Sequence, residues 1–514
     1  MVATQVAEQQ TGAENILWDL SIFYKGLDDP NIQVDMDKVE RLADDFAAQY
    51  RGKVATLSAD AMQAAVEALI AIYDLRGRIG SFAELNFTTN SASAQVGALV
   101  QKISEFDAVI GQKLVFFDLE WNAVDDAVAA KLLEAPVLAT SRHYLEAERR
   151  YKPYQLSEIE EQVLMDKRVT GRDAWERFFT QLNGAMRFDF DGEKLNMSQV
   201  MVKVRDGDRT TRQKGADALT AGLRDKSMEL TYVFNVLAAD KASDDSRRQY
   251  PTWVSSRNLN NKAPDAVVEA LISTVTANYE LVAKHYRLKR VLMGLDELFD
   301  YDRYAPLPIK QSEKFYTWDE AREIVVNAFH AFNPRMAEIA QRFFDENWIH
   351  APVLPGKRSG AFASPTVPSA HPFVFLNYTG QANDVMTLAH ELGHGIHMYL
   401  SSEKHGLLGL HTPLTTAEMA SVFAEMLVFS DLMSKEDDAE VRLAMLLNKI
   451  EDTFATVFRQ ISMNRFEDLM HNARRNEGEL STARLSELWL QTQRAMFKDS
   501  VTLRDDYGIW WSYI

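Results

Sequence analysis

Apolar residues recur every three or four positions through most of this chain, and strict alternation is confined to a few short runs. From "DMDKVERLADDFAAQYRG" through "LSADAMQAAVEALIAIYDLRGRI" to "SASAQVGALVQKISEFDAVIGQKLVFFDLEW", the spacing is that of amphipathic helices. This predicts a helical N-terminal domain over residues 1–123, with the polar first 14 residues loose. A second helix-rich section over 124–245 contains "RFDFDGEKLN", which alternates about an Asp-Gly turn and predicts a β-hairpin. Helices resume with "APDAVVEALISTVTANYELVAKHYRLKRVLMGL" and "TWDEAREIVVNAFHAFNPRMAEIAQRFFDENWI", within a third section over 246–514. The fold class expected from this pattern is mainly α.

The texture changes at "APVLPGKRSGAFASPTVPSAHPFVFLNYTG", residues 351–380, where proline, glycine and serine separate two β-prone runs, "GAFAS" and "PFVFLNY". These predict a small sheet leading into the helix "VMTLAHELGHGIHMYL", capped by Asn383 or Asp384. Two other motifs are set aside. "GKRSG" lacks the GxxxxGK[ST] spacing of a phosphate loop, and the DxDG of the hairpin has Arg187 where a calcium loop needs its first acid.

Composition narrows the function classes. A net charge of −18 and no basic stripe with interleaved aromatics argue against a nucleic-acid partner. No uninterrupted apolar run predicts a membrane span, and the start has neither a signal-peptide nor a transit-peptide pattern, so a cytoplasmic protein is expected. With no cysteine, any zinc must be held by histidine and carboxylate.

That is what residues 387–400, "TLAHELGHGIHMYL", offer: three of the chain's 11 histidines and a glutamate within eight positions. His390 and His394 lie about 40° apart around a helix axis and one turn along it, so both rings can meet one ion. Glu391 projects beside them, where a carboxylate can take a proton from a water activated by zinc. His397 is about 10 Å up the axis from His390, too far for the same ion, and the metzincin third position falls on Leu400. In "TTAEMASVFAEMLVFSDLM", Glu418 and Glu425 share one face of a very apolar helix. Thr415-x-x-Glu418 has capping-box spacing, whereas Glu425 has no such structural role. Two carboxylates among Met, Val, Phe and Leu call for a cation. Glu418 is the preferred third ligand, and Glu425 then a candidate to orient a ligand from behind.

The stretches "PGKRSGAFAS", "HPFVFLNYTG", "DVMTLAHELGHGIHMYL" and "TTAEMASVFAEML" resemble the thimet-type oligopeptidases, and among them the bacterial oligoendopeptidase F branch. Weaker similarity in "WDLSIFYKGL" and "RNLNNKAPDAVVEAL" extends the resemblance over nearly the whole chain. It implies a zincin-type helical clamshell with a deep channel and a small sheet next to the metal helix, admitting short unstructured peptides. It implies one zinc ion on His390, His394 and Glu418, with Glu391 as general base, in an endopeptidase. "PFVFLNY" would be an edge strand binding substrate backbone along Phe373, Phe375 and Asn377.

Members of that family continue past "YGIWWSYI" into a histidine- and tyrosine-rich segment that stabilises the tetrahedral intermediate. This sequence stops at Ile514, after Trp510, Trp511 and Tyr513, which reads as a truncated form. The alternative function is therefore a non-catalytic, zinc-containing peptide-binding protein. Tyr378, Tyr399 and His411 lie near the motif in sequence and are expected to be structural.

Overall fold

The computed structural model describes residues 10–310 and 314–513, so that the first nine residues and Ile514 lie outside the described residues. Helices dominate, with five short strands: β1 Phe188–Phe190, β2 Glu193–Leu195, β3 Ile349–His350, β4 Phe362–Ser364 and β5 Phe373–Phe375. The contacts divide the chain into two compact units, each made of two separate stretches: Met1–Val169 with Glu313–Lys435, and Thr170–Ser312 with Glu436–Ile514. The linear sections read from the sequence follow the order of elements. Which elements share a core depends on contacts that periodicity does not encode.

In the first unit, helices Pro30–Tyr50, Ala59–Thr89 and Ala94–Leu114 carry the predicted apolar stripes. Asp29 and Ser58 cap the first two, accepting from the N–H groups of Asn31 and Ala61. Their buried residues, among them Phe46, Leu69 and Ile110, form one core with Phe373, Leu388 and Ala424, so the N-terminal helices and the histidine helix share one scaffold. Residues 10–14 are docked, not loose: the Thr11 carbonyl accepts from the Trp318 N–H at 2.8 Å, and Ala13 is fully buried.

The small sheet has the order β3-β5-β4, with β3 parallel and β4 antiparallel to β5. This corrects the edge-strand expectation for "PFVFLNY": β5 is the central strand, and all three of its residues are buried. An unbroken apolar run marks burial on both faces, whereas an edge facing solvent alternates. The free edge belongs to β4. The "GKRSG" loop between β3 and β4 is bound down structurally. The Lys357 ammonium donates to the carbonyls of Pro352 (2.6 Å), His350 (3.3 Å) and Leu376, and the Arg358 N–H donates to the Thr88 carbonyl.

The second unit contains the predicted hairpin, β1 antiparallel to β2, with Asp191 and Gly192 at positive φ in a two-residue turn. Asp189 accepts from the Gly192 N–H and Lys194, and Asp191 accepts from Lys214, so both DxDG acids have structural partners. The core joins Phe188, Leu219, Phe466 and Trp489 to the 3-10 segment Asp505–Tyr513. There Trp510 and Trp511 are buried and donate to Thr220 and Ser486. One stretch, Asp265–Leu292, is long and apolar enough by length and composition to cross a membrane, contrary to the sequence expectation. It consists of two helices, Asp265–Ala277 and Tyr279–Leu292, each shorter than the about 20 residues a span needs.

The packing that matters most for the site joins helix Ala382–His405 to helix Leu414–Lys435. The second helix turns Ser421, Ala424 and Val428 inward, and Gly393 of the first lies against Ser421 and Ala424. A β-carbon at Gly393 would stand 2.7 Å from the Ala424 Cβ, 2.8 Å from the Ser421 Cα and 2.9 Å from the Ala420 carbonyl oxygen. Two of those atoms are backbone, so relief requires the helices to separate. Gly393→Ala is expected to lower stability by about 1–3 kcal/mol, despite the better helix propensity of alanine. Chemical denaturation measures it; an unchanged or raised midpoint would show that the two axes are free to separate.

Candidate metal centre

Helix Ala382–His405 begins two to three residues earlier than the sequence reading, with Asn383 or Asp384 as its cap, placed it. Gln381 is the cap residue, and Asp384 works from inside the first turn, accepting from the N–H groups of Thr379 (2.8 Å) and Gln381 (3.1 Å). Two turns on, His390 and His394 emerge on one face, their ring centroids 5.0 Å apart. The second helix has already begun at Leu414, so Thr415 lies inside it and cannot form the capping box with Glu418. The Glu418 carboxylate accepts from Ser421 Oγ at 3.0 Å and turns to the histidines.

Glu418 Oε2 lies 3.4 Å from His390 Nε2 and 3.6 Å from His394 Nε2, and one ligand atom from each of the three residues lies within 4.8 Å of the others. A tetrahedral ion with ligand bonds near 2.1 Å separates its ligands by about 3.4 Å, so both carboxylate–histidine distances suit a small divalent metal. Glu425, seven residues along the same face, sits 3.2 Å from His390 Nδ1. With Nδ1–H donated there, the Nε2 lone pair points at Glu418 and is free for a metal. Burial pulls His390 down, but the Glu425 contact and the nearby carboxylates outweigh it and raise its pKa. His394 moves down, chiefly through burial and the positive field of its histidine neighbours.

Glu391 is 6% exposed, and its Oε2 has no hydrogen-bond partner. Burial pushes its carboxyl up to about 7, against the pull of His390. The backbone N–H of Ala363 also favours the ionised form. That N–H belongs to the sheet edge. Val374 and Leu376 donate to the carbonyls of Trp348 and His350 on the β3 side, so Phe373 and Phe375 face β4 and pair with Ser364 and Phe362, leaving the N–H and C=O of Ala363 pointing away from β5. A proton acceptor, a three-ligand cluster and an unpaired strand edge therefore meet in the first unit.

The remaining candidates serve the scaffold. Phe373 and Phe375 are fully buried, and the Asn377 amide donates to the carbonyls of Arg358 and Gly360, so none of the three presents itself to a substrate backbone. The Tyr378 hydroxyl donates to the Tyr316 carbonyl, and Tyr399 accepts from Arg342. His397 and His411 stand outside the three-ligand cluster. The sequence reading missed Ala363 and Gly393. The "GAFAS" run and the small residues Ala420, Ser421 and Ala424 opposite a glycine were the available signals.

The sequence pattern of Peptidase family M3 matches residues 202–514, more than half of the chain. The chain belongs to that family. The Oligopeptidase F pattern matches residues 120–188 and puts the chain in the oligoendopeptidase F branch of M3. Oligopeptidase PepF of Bacillus subtilis strain 168 is 24% identical over 91% of this chain, which spans 70% of that relative. Group B oligopeptidase PepB of Streptococcus agalactiae is 28% identical over 74% of this chain, which spans 63% of that relative's length. Oligoendopeptidase-F from Enterococcus faecium has the same fold, with a TM-score of 0.69 at 19% identity, over 93% of this chain and 82% of that one.

The packing of this M3 centre makes a prediction about its metal. Glu425→Ala removes the acceptor that fixes the His390 ring, and metal affinity is expected to fall about 10–100-fold. Competition with a chelator reads it directly, and an unchanged affinity would mean that His390 is oriented by packing alone.

Proposed function

We propose that this chain is a zinc-dependent endopeptidase that hydrolyses internal bonds of short, unstructured peptides. The observation that carries the reading is the buried carboxylate of Glu391, whose Oε2 has no hydrogen-bond partner, beside the His390, His394 and Glu418 cluster. A carboxylate left without a donor is costly unless something arrives to meet it. The relatives' names, oligopeptidase and oligoendopeptidase, support short peptides as the substrate class.

In this reading His390, His394 and Glu418 hold one zinc ion, a donor set of nitrogen and oxygen that suits zinc in a chain without thiols. Zinc bound there supplies Lewis acidity, lowering the pKa of water and polarising a carbonyl. Glu391 then acts as general base, taking a proton from the attacking water and returning it to the leaving amine. A carboxyl with a pKa near neutrality is suited to both transfers, because it is neither too weak to accept nor too weak to donate. Glu425 holds the His390 tautomer throughout.

The substrate backbone is assigned to the edge of β4. A peptide laid along Ala363 finds one outward C=O beside an N–H that faces Glu391, a sequence-independent contact that suits varied oligopeptides. Because the backbone supplies these bonds, side-chain preference must arise elsewhere.

Two experiments test the assignment. Mass spectrometry of a mixed pool of short peptides is expected to show cleavage by the wild type, and Glu391→Gln is expected to lower kcat by about 10²–10⁴-fold while keeping one zinc. Stoichiometric zinc in both proteins with no cleavage by either would reject the peptidase reading and keep the metal site. Ala363→Pro removes the N–H that faces both the strand edge and Glu391 without breaking the β4–β5 pairing, as proline is tolerated on sheet edges. Its expected effect is a raised KM or lost turnover at unchanged zinc content; unaltered kinetics would show that peptides do not bind there.

A further inference from the structure

One face of the small sheet carries a row of rings that the metal centre does not use. His350 of β3, Phe375 of β5 and Phe362 of β4 stand opposite one another in the strand register. Side chains opposite each other on neighbouring strands share a face, and here they stack. The His350 and Phe375 rings lie 6.2 Å apart with their planes at 18°, and the Phe375 and Phe362 rings 4.8 Å apart at 17°. The second spacing matches that of neighbouring strands, about 4.7–4.9 Å, so the stack advances by one ring per strand.

The row is closed at one end and open at the other. Trp18 packs edge-on against His350 at 5.2 Å and tilted against Phe375 at 5.9 Å, and both of those rings are buried. Phe362 is only half-buried, and it belongs to the strand whose outer edge is free among the described residues. The ring face that Phe362 turns away from Phe375 therefore points in the direction in which a further strand would be added. Beside that ring stands the exposed Arg358, its guanidinium 5.9 Å from the ring centroid and without a hydrogen-bond acceptor among the described residues.

The other two residues of the edge offer no such surface. Ser364 ends the neighbouring row, which runs through Phe373. Ala363 lies on the opposite face and ends the row of Ile349 and Val374. Of the three residues of β4, one presents a ring.

We propose that the outer face of the Phe362 ring, with Arg358 beside it, is a specificity surface that selects an aromatic side chain at one position of the bound peptide. This rests on the reading of β4 as the peptide-binding edge. A peptide strand there sets the residue opposite Phe362 on the same face, one strand spacing further out and hence one ring spacing from Phe362. That residue adjoins, along the peptide, the one opposite Ala363, so the register ties the preference to the cleaved bond. An aliphatic side chain of equal size is buried as well but makes no ring-on-ring contact. An acid meets Arg358 but loses the stack. Stacking and the nearby guanidinium both favour a ring, by about 3–10-fold in affinity.

The test reads binding apart from cleavage. Zinc-loaded Glu391→Gln protein is titrated calorimetrically with short peptides in which a single phenylalanine is moved position by position, each paired with a twin carrying cyclohexylalanine, which matches the size without the π system. Phenylalanine is expected to bind about 3–10-fold tighter than its twin at one position, and equally at the positions on either side. Adding Phe362→Leu is expected to remove the difference and Phe362→Trp to retain it, while Arg358→Met reduces it in part. Equal affinities at every position, a difference that survives Phe362→Leu, or tighter binding of glutamate than phenylalanine at that position overturns the proposal. The position scan itself needs no change to the row of rings, so it decides even where Phe362→Leu disturbs the sheet. Cleavage by the wild type with no aromatic position would remove this surface and keep the peptidase reading. An aromatic position found by binding, with no cleavage by the wild type, would do the reverse.

Discussion

The metal centre depends on how closely two helices can approach at Gly393. Both histidines are on one helix and both carboxylates on another, so no property of either segment alone makes a site. Gly393 has no side chain, and the residues opposite, Ala420, Ser421 and Ala424, are small. With that contact made, the face that carries Ser421 and Ala424 also carries Glu418 and Glu425, and the seven-residue spacing sets the two acids two turns apart. One then meets the Nε2 side of the histidines and the other the Nδ1 side of His390. A wider crossing would leave the same four residues in the same order and bring none of them into ligand range.

The same approach explains why a costly carboxylate is tolerated. Glu391 is sealed by the packing that brings the helices together, and burial raises its pKa to about 7. In an ordinary core position this would be a defect, since an unpaired buried acceptor destabilises by about 1–3 kcal/mol. Beside a cluster of cation ligands and a strand edge with an outward N–H, it becomes a poised proton acceptor. Stability is given up at one residue, and the surrounding core, continuous from the N-terminal helices to β5, absorbs the loss.

Local chemistry was legible in the sequence and juxtaposition was not. Helical spacing placed His390 and His394 together, the Asp-Gly turn announced the hairpin, and the seven-residue spacing put Glu418 and Glu425 on one face, although Glu418 is exposed and not buried as its apolar neighbours suggested. Each of those inferences needs one element, or two with an obvious attraction. The strand order was misread because "PFVFLNY" was judged by its nearness to the metal helix. Its unbroken apolarity already excluded an edge, and the polar-flanked "GAFAS" fitted one. The grouping of residues 1–169 with 313–435 left no trace in the pattern, since a helix carries the same stripe whichever partner it buries.

The second unit shows how far pairing can guide such reading. Its buried charges are mostly matched, Asp302 with Arg209 and Arg212, Asp300 with Arg504, Glu451 with Lys289, so that charge balance is the rule of its interior. Against that rule the buried Arg303 stands out, with no carboxylate paired to it among the described residues, as Glu391 does in the first unit, where its Oε2 has no hydrogen-bond partner. In both units the informative residue is the buried ionisable group whose partner is missing. The sign of its charge says what kind of partner to seek, as a cation or a proton beside Glu391.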